Sequence, residues 1–418
     1  MLKDKKKVEL LKNTIMLYVL IFSSYIMGFI TVPYQTRVFG PRIYGVVGVA
    51  AAVMVYFQLV IDFGFLLSAT QEVSANREDK KKLSVIFSSI TINKLLLILL
   101  SSVVMLIVCS MVAQWREYFL FFVLTFISTA ISSLMPDYLY RGLEKMETIT
   151  VRTVLIRLFF TLMIFIVVKE PKDYVFIPVL NIIGNSFALI GVYFHLYKKL
   201  GINLHWCGVD DLVKRFKASA IFFFSRIATT LYTATNTVVL DLLSAGTMTG
   251  YYTSADKIVA TAKSGISPIS DSLYPYMIKN RDFKLVRKIL LILEPIIIIG
   301  CLVVFIFAKP LCVWFFGAEY EQTATILRAL LPVVAVILPT YILGFPVLGA
   351  MGLNKHANYS TMFGSLIHIC QLVLLWSIGE LNLVTLGIAT SVTETVILIY
   401  RIIVVIKNKG LLKGREEL

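Results

Sequence analysis

The chain has 418 residues, of which 58% are hydrophobic and only 16% are charged. Soluble domains are about 25% charged, and one soluble core of this length could not bury so much apolar side chain. The composition therefore excludes a soluble enzyme and a protein with one anchor and a large aqueous domain. The net charge of +15 would suggest nucleic acid in a soluble chain, but here it lies beside apolar segments, so we predict no nucleic-acid partner.

Apolar runs recur from the first helix to the last. About twenty apolar residues make one membrane-spanning helix, and the period-two pattern of barrel strands is absent. The sequence predicts an all-α integral membrane protein with about twelve spans. The predicted spans are 13–35, 44–66, 83–110, 116–137, 149–168, 174–197, 216–242, 250–277, 288–309, 322–349, 358–378 and 382–405.

Basic residues are concentrated in alternate loops. Most of the 40 Lys and Arg residues lie in the two terminal segments and in loops such as 77–82, 198–217 and 279–288, while the intervening loops hold few. Cytoplasmic loops carry this excess of positive charge. We therefore predict a multi-pass protein with both termini in the cytoplasm, whose basic loops also contact anionic membrane lipids.

The loop at 198–215 divides the chain into two similar halves. Residues 141–145, after the fourth predicted span, match residues 350–355, after the tenth. Six spans per half in the same orientation describe a parallel repeat about an axis along the membrane normal. We predict two six-helix lobes, 1–205 and 206–418, although glycine at tight turns also explains such short matches.

Several cations fall within the predicted spans, where a central charge costs about 2.5–3.5 kcal/mol and usually faces a cavity or a partner. We expect them to line a water-filled central cavity and to bind an anionic group, because Lys offers a point charge and Arg a planar fork. The alternative is local ion pairing, such as Glu294 or Glu394 with Arg328. The candidate cations are Arg226, Lys263, Lys257, Lys94, Arg157 and Arg328.

Uncharged and acidic polar residues in the spans extend this candidate site. Those on one face of the first, seventh and eighth spans are predicted to line the cavity, although threonine is equally able to bond its own helix backbone and tyrosine to lie at the membrane interface. They are Tyr18, Tyr25, Gln35, Thr230, Thr233, Asn236, Asp256 and Ser267. Four carboxylates are candidates for a gate or for ion coupling: Asp62, Asp271, Glu294 and Glu394.

No pattern of metal or cofactor ligands is present. The five cysteines and four histidines are scattered, and the GxxxxGK[ST] loop that binds nucleotide phosphates is missing. We predict no metal, no cofactor and no enzymatic activity.

A series of short motifs in a fixed order gives the chain a family resemblance. They are residues 37–41 with Tyr44 and Gly45, residues 62–64, residues 140–144, residues 250–252 and residues 316–320. Together they resemble the Wzx-type polysaccharide repeat-unit (O-antigen or capsule) flippases of the multidrug/oligosaccharidyl-lipid/polysaccharide (MOP) exporter superfamily.

The resemblance implies a MATE-like fold and alternating access. It implies a substrate, an undecaprenyl-pyrophosphate-linked oligosaccharide, that is flipped from the cytoplasmic to the periplasmic leaflet of a bacterial inner membrane. It also implies polymerase and chain-length proteins of the same pathway as partners.

Three other functions stay open at this point. A multidrug antiporter of the superfamily is expected to carry an acidic residue in the first span, and a lipid II flippase a basic one; residues 13–36 contain neither. A membrane-embedded polysaccharide polymerase or ligase needs a large outward loop, and the predicted outward loops are short.

Overall fold

The computed structural model describes residues 2–244 and 246–412. Throughout these residues the regular structure is helical and contains no strand, which confirms the all-α prediction. The helices are α1 (Leu2–Asp62), α2 (Phe65–Ala75), α3 (Lys80–Met111), α4 (Ala113–Glu117), α5 (Phe119–Ser133), α6 (Asp137–Gly142), α7 (Met146–Val167), α8 (Phe176–His195), α9 (Val209–Ser244), α10 (Thr247–Asn280), α11 (Phe283–Ile306), α12 (Ala308–Phe316), α13 (Thr323–Ile342), α14 (Asn354–Ser377) and α15 (Leu383–Lys407).

Nine helical segments of the described chain are long and apolar enough to cross a membrane, so this is a multi-pass membrane protein. The first two predicted spans lie in α1, which turns at Gly40 (φ 65°, ψ 172°), a conformation essentially restricted to glycine. The seventh and eighth predicted spans correspond to α9 and α10, which are not among the nine because their polar residues lower the mean hydropathy. The count of twelve stays a prediction.

The contacts between residues divide the chain into two compact units, Met1–Thr230 (unit 1) and Leu231–Leu418 (unit 2). The division falls inside α9 and not in the preceding loop. The first part of α9 packs within unit 1, where the Asn93 side-chain amide donates to the Leu212 carbonyl at 3.1 Å. The predicted pair of six-helix lobes, 1–205 and 206–418, stays a prediction.

In unit 1, aromatic side chains fix the start of α9 against the end of α1. The ring of Phe63 stacks on Phe216 at 4.0 Å and on Phe223 at 4.5 Å between centroids. The next residue, Gly64, has φ 77°, and a β-carbon there would lie 2.7 Å from the Ser219 carbonyl oxygen. Only glycine allows this backbone conformation and this close approach of α9.

In unit 2, α13 is the central helix and packs against both α10 and α15. Its side chains Leu327, Leu330 and Ile337 have no exposed surface. By contrast, α11 has the highest mean hydropathy of the nine segments and none of its most apolar stretch is buried. That distribution is typical of a helix that faces lipid, since apolar side chains are stable there.

Candidate functional site

A cavity of about 240 Å³, called here the Lys263 cavity, lies among helices of unit 2. Its polar side chains come mainly from α10, where spacings of three, four and seven residues place them on one helical face. From α13, Leu330 and Val333 give the cavity its apolar side. The polar lining is Asn236, Tyr252, Asp256, Lys263, Ser264, Tyr341 and Thr390.

Lys263 is paired with Glu394 of α15. Its ammonium nitrogen lies 2.6 Å from Glu394 Oε1, and the two side chains are 21% and 3% exposed. A buried carboxylate requires such a partner, because an uncompensated charge in this environment is strongly destabilising. Asp256, half-buried in the same lining, adds a second carboxylate, so the prediction of a cationic cavity is not confirmed in unit 2.

The alternative pairing of Arg328 with Glu294 or Glu394 is wrong. Arg328 donates from Nε to the Phe305 carbonyl at 3.0 Å, and its guanidinium carbon lies 5.6 Å from the centroid of the Phe305 ring. Arg328 therefore makes a hydrogen bond to a backbone carbonyl and a cation–π interaction with the same residue. Glu394 pairs with Lys263 instead.

A largely buried polar network begins at the lining of the Lys263 cavity. The Asn236 amide nitrogen donates to Tyr252 Oη and to Thr390 Oγ1, both at 2.8 Å, so its oxygen is left to accept from His368 Nε2 at 2.8 Å. On the other side of the ring, His368 Nδ1 lies 3.0 Å from Thr393 Oγ1, so both ring nitrogens have a hydrogen-bond partner. Satisfied networks of this kind fix helices in one arrangement. His368 was not predicted as a site residue, because a single histidine in an apolar helix has no distinctive spacing.

Lys94 occupies a different environment, deep in unit 1. Its ammonium donates to Asp62 Oδ1 at 2.8 Å and to the Ser133 carbonyl, and its side chain is only 7% exposed. We correct the expectation that Lys94 presents a free charge to an anion, because the carboxylate at the end of α1 neutralises it. Asp62, predicted as a gate or coupling carboxylate, is the partner of this lysine.

The other predicted residues differ in exposure. Arg226, Lys257 and Asp271 are exposed, Gln35 is buried, and the half-buried residues are Arg157, Arg328, Thr230, Ser267 and Glu294. The side chains of Tyr18, Tyr25 and Thr233 lie outside the described part of the chain. Of the predicted site residues, the structure brings Asn236, Asp256, Lys263 and Glu394 together in unit 2 and pairs Lys94 with Asp62 in unit 1.

A larger cavity of about 470 Å³, called here the Arg215 cavity, lies in unit 1. It is bordered by α2, by α3 and by the first part of α9. Lys214 and Arg215 belong to the basic loop 198–217 that predicts membrane topology, and the sequence did not predict this site. The polar lining is Ser68, Gln71, Glu72, Lys214, Arg215 and Ser219.

Within the described residues, no group of three or more His, Cys, Asp or Glu side chains is arranged to hold a metal ion. The polar side chains that line the two cavities are able to form ion pairs and hydrogen bonds.

Comparison with known protein families identifies the family of this chain. The profile of the family described as "Polysaccharide biosynthesis protein" matches residues 10–281, which is more than half of the chain. The chain belongs to this family. This agrees with the resemblance to polysaccharide repeat-unit flippases of the MOP superfamily that the motifs indicated.

Two curated relatives of this chain are provisionally named O-antigen transporter. The one from Escherichia coli (strain K12) is 26% identical over 402 residues, which cover 93% of this chain and 94% of the relative. The one from Shigella dysenteriae is 25% identical over 364 residues, which cover 86% of this chain and 91% of the relative. Both relatives therefore align with most of the length of this chain.

Solved structures show the same fold. The lipid II flippase MurJ in an inward closed conformation superposes with a TM-score of 0.69 at 16% identity and covers 94% of this chain and 89% of its own. An inward-facing MATE multidrug resistance transporter of the MOP superfamily gives 0.65 at 12% identity, with 92% and 95% covered. At these identities the likeness concerns the fold alone.

Proposed function

We propose that the protein flips undecaprenyl-diphosphate-linked oligosaccharide repeat units from the cytoplasmic to the outer leaflet of a bacterial inner membrane, by alternating access. The family, the names of the two relatives and the fold shared with a lipid II flippase support this proposal. The product would be O-antigen or capsular polysaccharide. Both termini would lie in the cytoplasm, and polymerase and chain-length proteins would act downstream.

The observation that carries the proposal is the Lys263–Glu394 pair at the edge of the Lys263 cavity. Lysine binds phosphate as a point charge, and a diphosphate carries more negative charge than one carboxylate. An arriving diphosphate would therefore displace Glu394 from Lys263. In this scheme, binding of the anionic head releases Glu394 from Lys263.

The remaining cations have secondary roles in the proposal. Arg226 and Lys257, both exposed, together with Arg157 and Arg328, would raise the local concentration of the anionic head. Lys94 is left out because Asp62 neutralises it. Asn236 and the rest of its network would hold α10 and α15 in the positions that form the pair.

The decisive experiment replaces Lys263 in a strain whose own gene for this protein is deleted. Lys263→Ala is expected to abolish surface polysaccharide while the protein stays in the membrane, and Lys263→Arg to retain part of it because the charge is kept. Lys288→Ala, which removes an exposed lysine at the start of α11, is the matched control and should leave the polymer unchanged. Surface polymer is measured by electrophoresis with glycan staining, and protein by immunoblot of the membrane fraction.

Two results would contradict the proposal. Normal polymer with Lys263→Ala would remove Lys263 from substrate binding. A deletion strain with its full glycan coat but altered sensitivity to toxic cations would instead indicate a drug antiporter.

A further inference from the structure

The Arg215 cavity has the size of a ligand site and lies where sequence analysis predicted none. Its volume of about 470 Å³ falls within the range of roughly 300–1,000 Å³ that is usual for small-molecule sites. On the predicted topology, the loops that flank it are cytoplasmic, because residues 77–82 and 198–217 belong to the basic set. The cavity would therefore open on the side from which the substrate arrives.

The polar edge of this cavity is held rigidly. The Arg215 guanidinium donates to Glu72 through Nε at 3.1 Å and through Nη2 at 2.8 Å, and to Asp211 through Nη1 at 3.0 Å. The Arg215 side chain is only 11% exposed, whereas that of Glu72 is 35% exposed. Each carboxylate oxygen accepts more than one hydrogen bond, so Glu72 is fixed in place and retains acceptor capacity toward the cavity.

The charges around the cavity cancel. Arg215 is matched by Glu72 and Asp211, and the exposed Lys214 balances the second of these carboxylates. A diphosphate would find no excess of positive charge here. A neutral ligand rich in hydroxyl groups would find both acceptors and donors, including the Gln71 amide and the Ser68 and Ser219 hydroxyls, whose oxygens lie 2.6 Å apart.

The opposite wall is apolar and partly aromatic. Phe65 and Ile90 are buried beneath the cavity, and the half-buried ring of Phe222 also borders it. A sugar ring presents hydroxyl groups at its edge and C–H groups on its face, and the electron-rich face of an aromatic ring attracts such C–H groups. A fixed polar edge opposite an aromatic wall therefore matches a pyranose better than it matches a lipid chain.

We propose that the Arg215 cavity binds a sugar residue of the lipid-linked oligosaccharide on the cytoplasmic side before translocation, an inference that rests on the proposed function. Glu72, Gln71 and Lys214 would bond the sugar hydroxyls, and Phe222 would contact the ring face. The cavity would thus recognise the glycan, while the Lys263 cavity would bind the diphosphate.

The test uses cysteine labelling in intact cells. Ala218→Cys places a thiol at an exposed position of the cavity lining, and Lys217→Cys places one on the adjacent exposed position of α9 that does not line it. Each variant is labelled with N-ethylmaleimide in the source strain and in a strain lacking the transferase that attaches the first sugar to the lipid. Labelling at the two positions is read by peptide mass spectrometry.

We expect labelling at residue 218 to be slower when the sugar-bearing lipid is present, by about two-fold at half occupancy since occupancy follows mass action. Labelling at residue 217 should be the same in both strains. Gln71→Ala in the Ala218→Cys background should abolish the protection, because it removes one sugar ligand and leaves the Arg215–Glu72 pair intact. Equal rates at residue 218 in both strains, or equal slowing at residue 217, would overturn the sugar site.

Its failure can be told apart from failure of the proposed function. If deleting the gene for this protein abolishes surface polymer but labelling at residue 218 is the same in the two strains, only the sugar site is overturned. If the deletion leaves the polymer intact, both the sugar site and the proposed function are overturned. Ala218→Phe, which fills the cavity, should lower polymer output, and Val213→Phe, at an exposed position of α9 outside the lining, should not.

Discussion

Arg215 in unit 1 and Lys263 in unit 2 are both basic residues at the edge of a cavity, but they are bound differently. Arg215 is held by two carboxylates through three side-chain bonds, whereas the Lys263 ammonium contacts a single oxygen of the Glu394 carboxylate at 2.6 Å. A guanidinium forms fixed bidentate pairs, and an ammonium changes partners easily. The comparison indicates that Arg215 positions other groups and that Lys263 is the charge able to exchange.

Breaking the unit 2 pair should have the largest effect. Glu394→Ala removes the carboxylate that pairs with Lys263, and we expect the free energy of unfolding to fall by about 3–5 kcal/mol, the usual cost of removing one partner of a buried pair. Polymer export should also be lost. Thermal unfolding of the protein in detergent and surface-polymer assays measure the two effects.

The double variant Lys263→Met/Glu394→Leu separates stability from transport. It should recover most of the unfolding free energy, since apolar replacement of a buried pair is often neutral, and it should still export nothing. Export by this variant would show that the pair is only structural.

The Asn236 network should be the next most sensitive feature. Asn236→Leu deprives His368, Tyr252 and Thr390 of a partner, and a buried polar group left unsatisfied costs about 1–3 kcal/mol. We expect a loss near the upper end of that range, measured by thermal unfolding. Thr261→Ala, at an exposed position of α10, is the control, and an equal loss there would argue against the network.

A smaller effect should distinguish the two cations directly. Arg215→Lys keeps the charge but loses the fork to Glu72, so we expect a decrease of about 1.5 kcal/mol in unfolding free energy, the lower value for a hydrogen bond to a charged group. Lys263→Arg should cost less, because a guanidinium keeps the positive charge and is still able to donate to Glu394. If the two conservative changes were equally costly, the contrast between a fixed and an exchangeable cation would be lost.

The smallest effect is expected at an exposed pair. Arg42 and Glu117 lie 3.3 Å apart with side chains 66% and 60% exposed, and such pairs contribute about 0.2–1 kcal/mol. A double-mutant cycle with alanine should give a coupling energy in that range. If its coupling energy were as large as that of the Lys263–Glu394 pair, burial would not explain why the unit 2 pair is expected to contribute more to stability.

Much of the fold could be predicted from hydropathy. The apolar runs predict the helices, and the polar stripes mark α9 and α10 as unusual. The break in α1 was predicted as a loop between two spans. In the structure it is a single residue with positive φ, Gly40, and hydropathy does not predict such a backbone conformation.

The candidate site could be predicted only in part. A lysine within an apolar segment is conspicuous, so Lys263 was found, but its partner Glu394 is 131 residues away and the pairing exists only in the folded chain. Arg215 and Glu72 were missed because they lie near helix ends, where charge is explained by membrane topology. For these two residues, only the structure shows that the charged side chains line a cavity in addition to any role in membrane topology.

The turn at Gly40 also sets a limit on the length of α1. Its 61 residues, if continuous, would form a rod about 90 Å long at 1.5 Å per residue, about three times the thickness of the hydrocarbon layer. The non-helical backbone at Gly40 interrupts that rod between the first two predicted spans. A side chain at position 40 would strain this backbone conformation, which is essentially restricted to glycine.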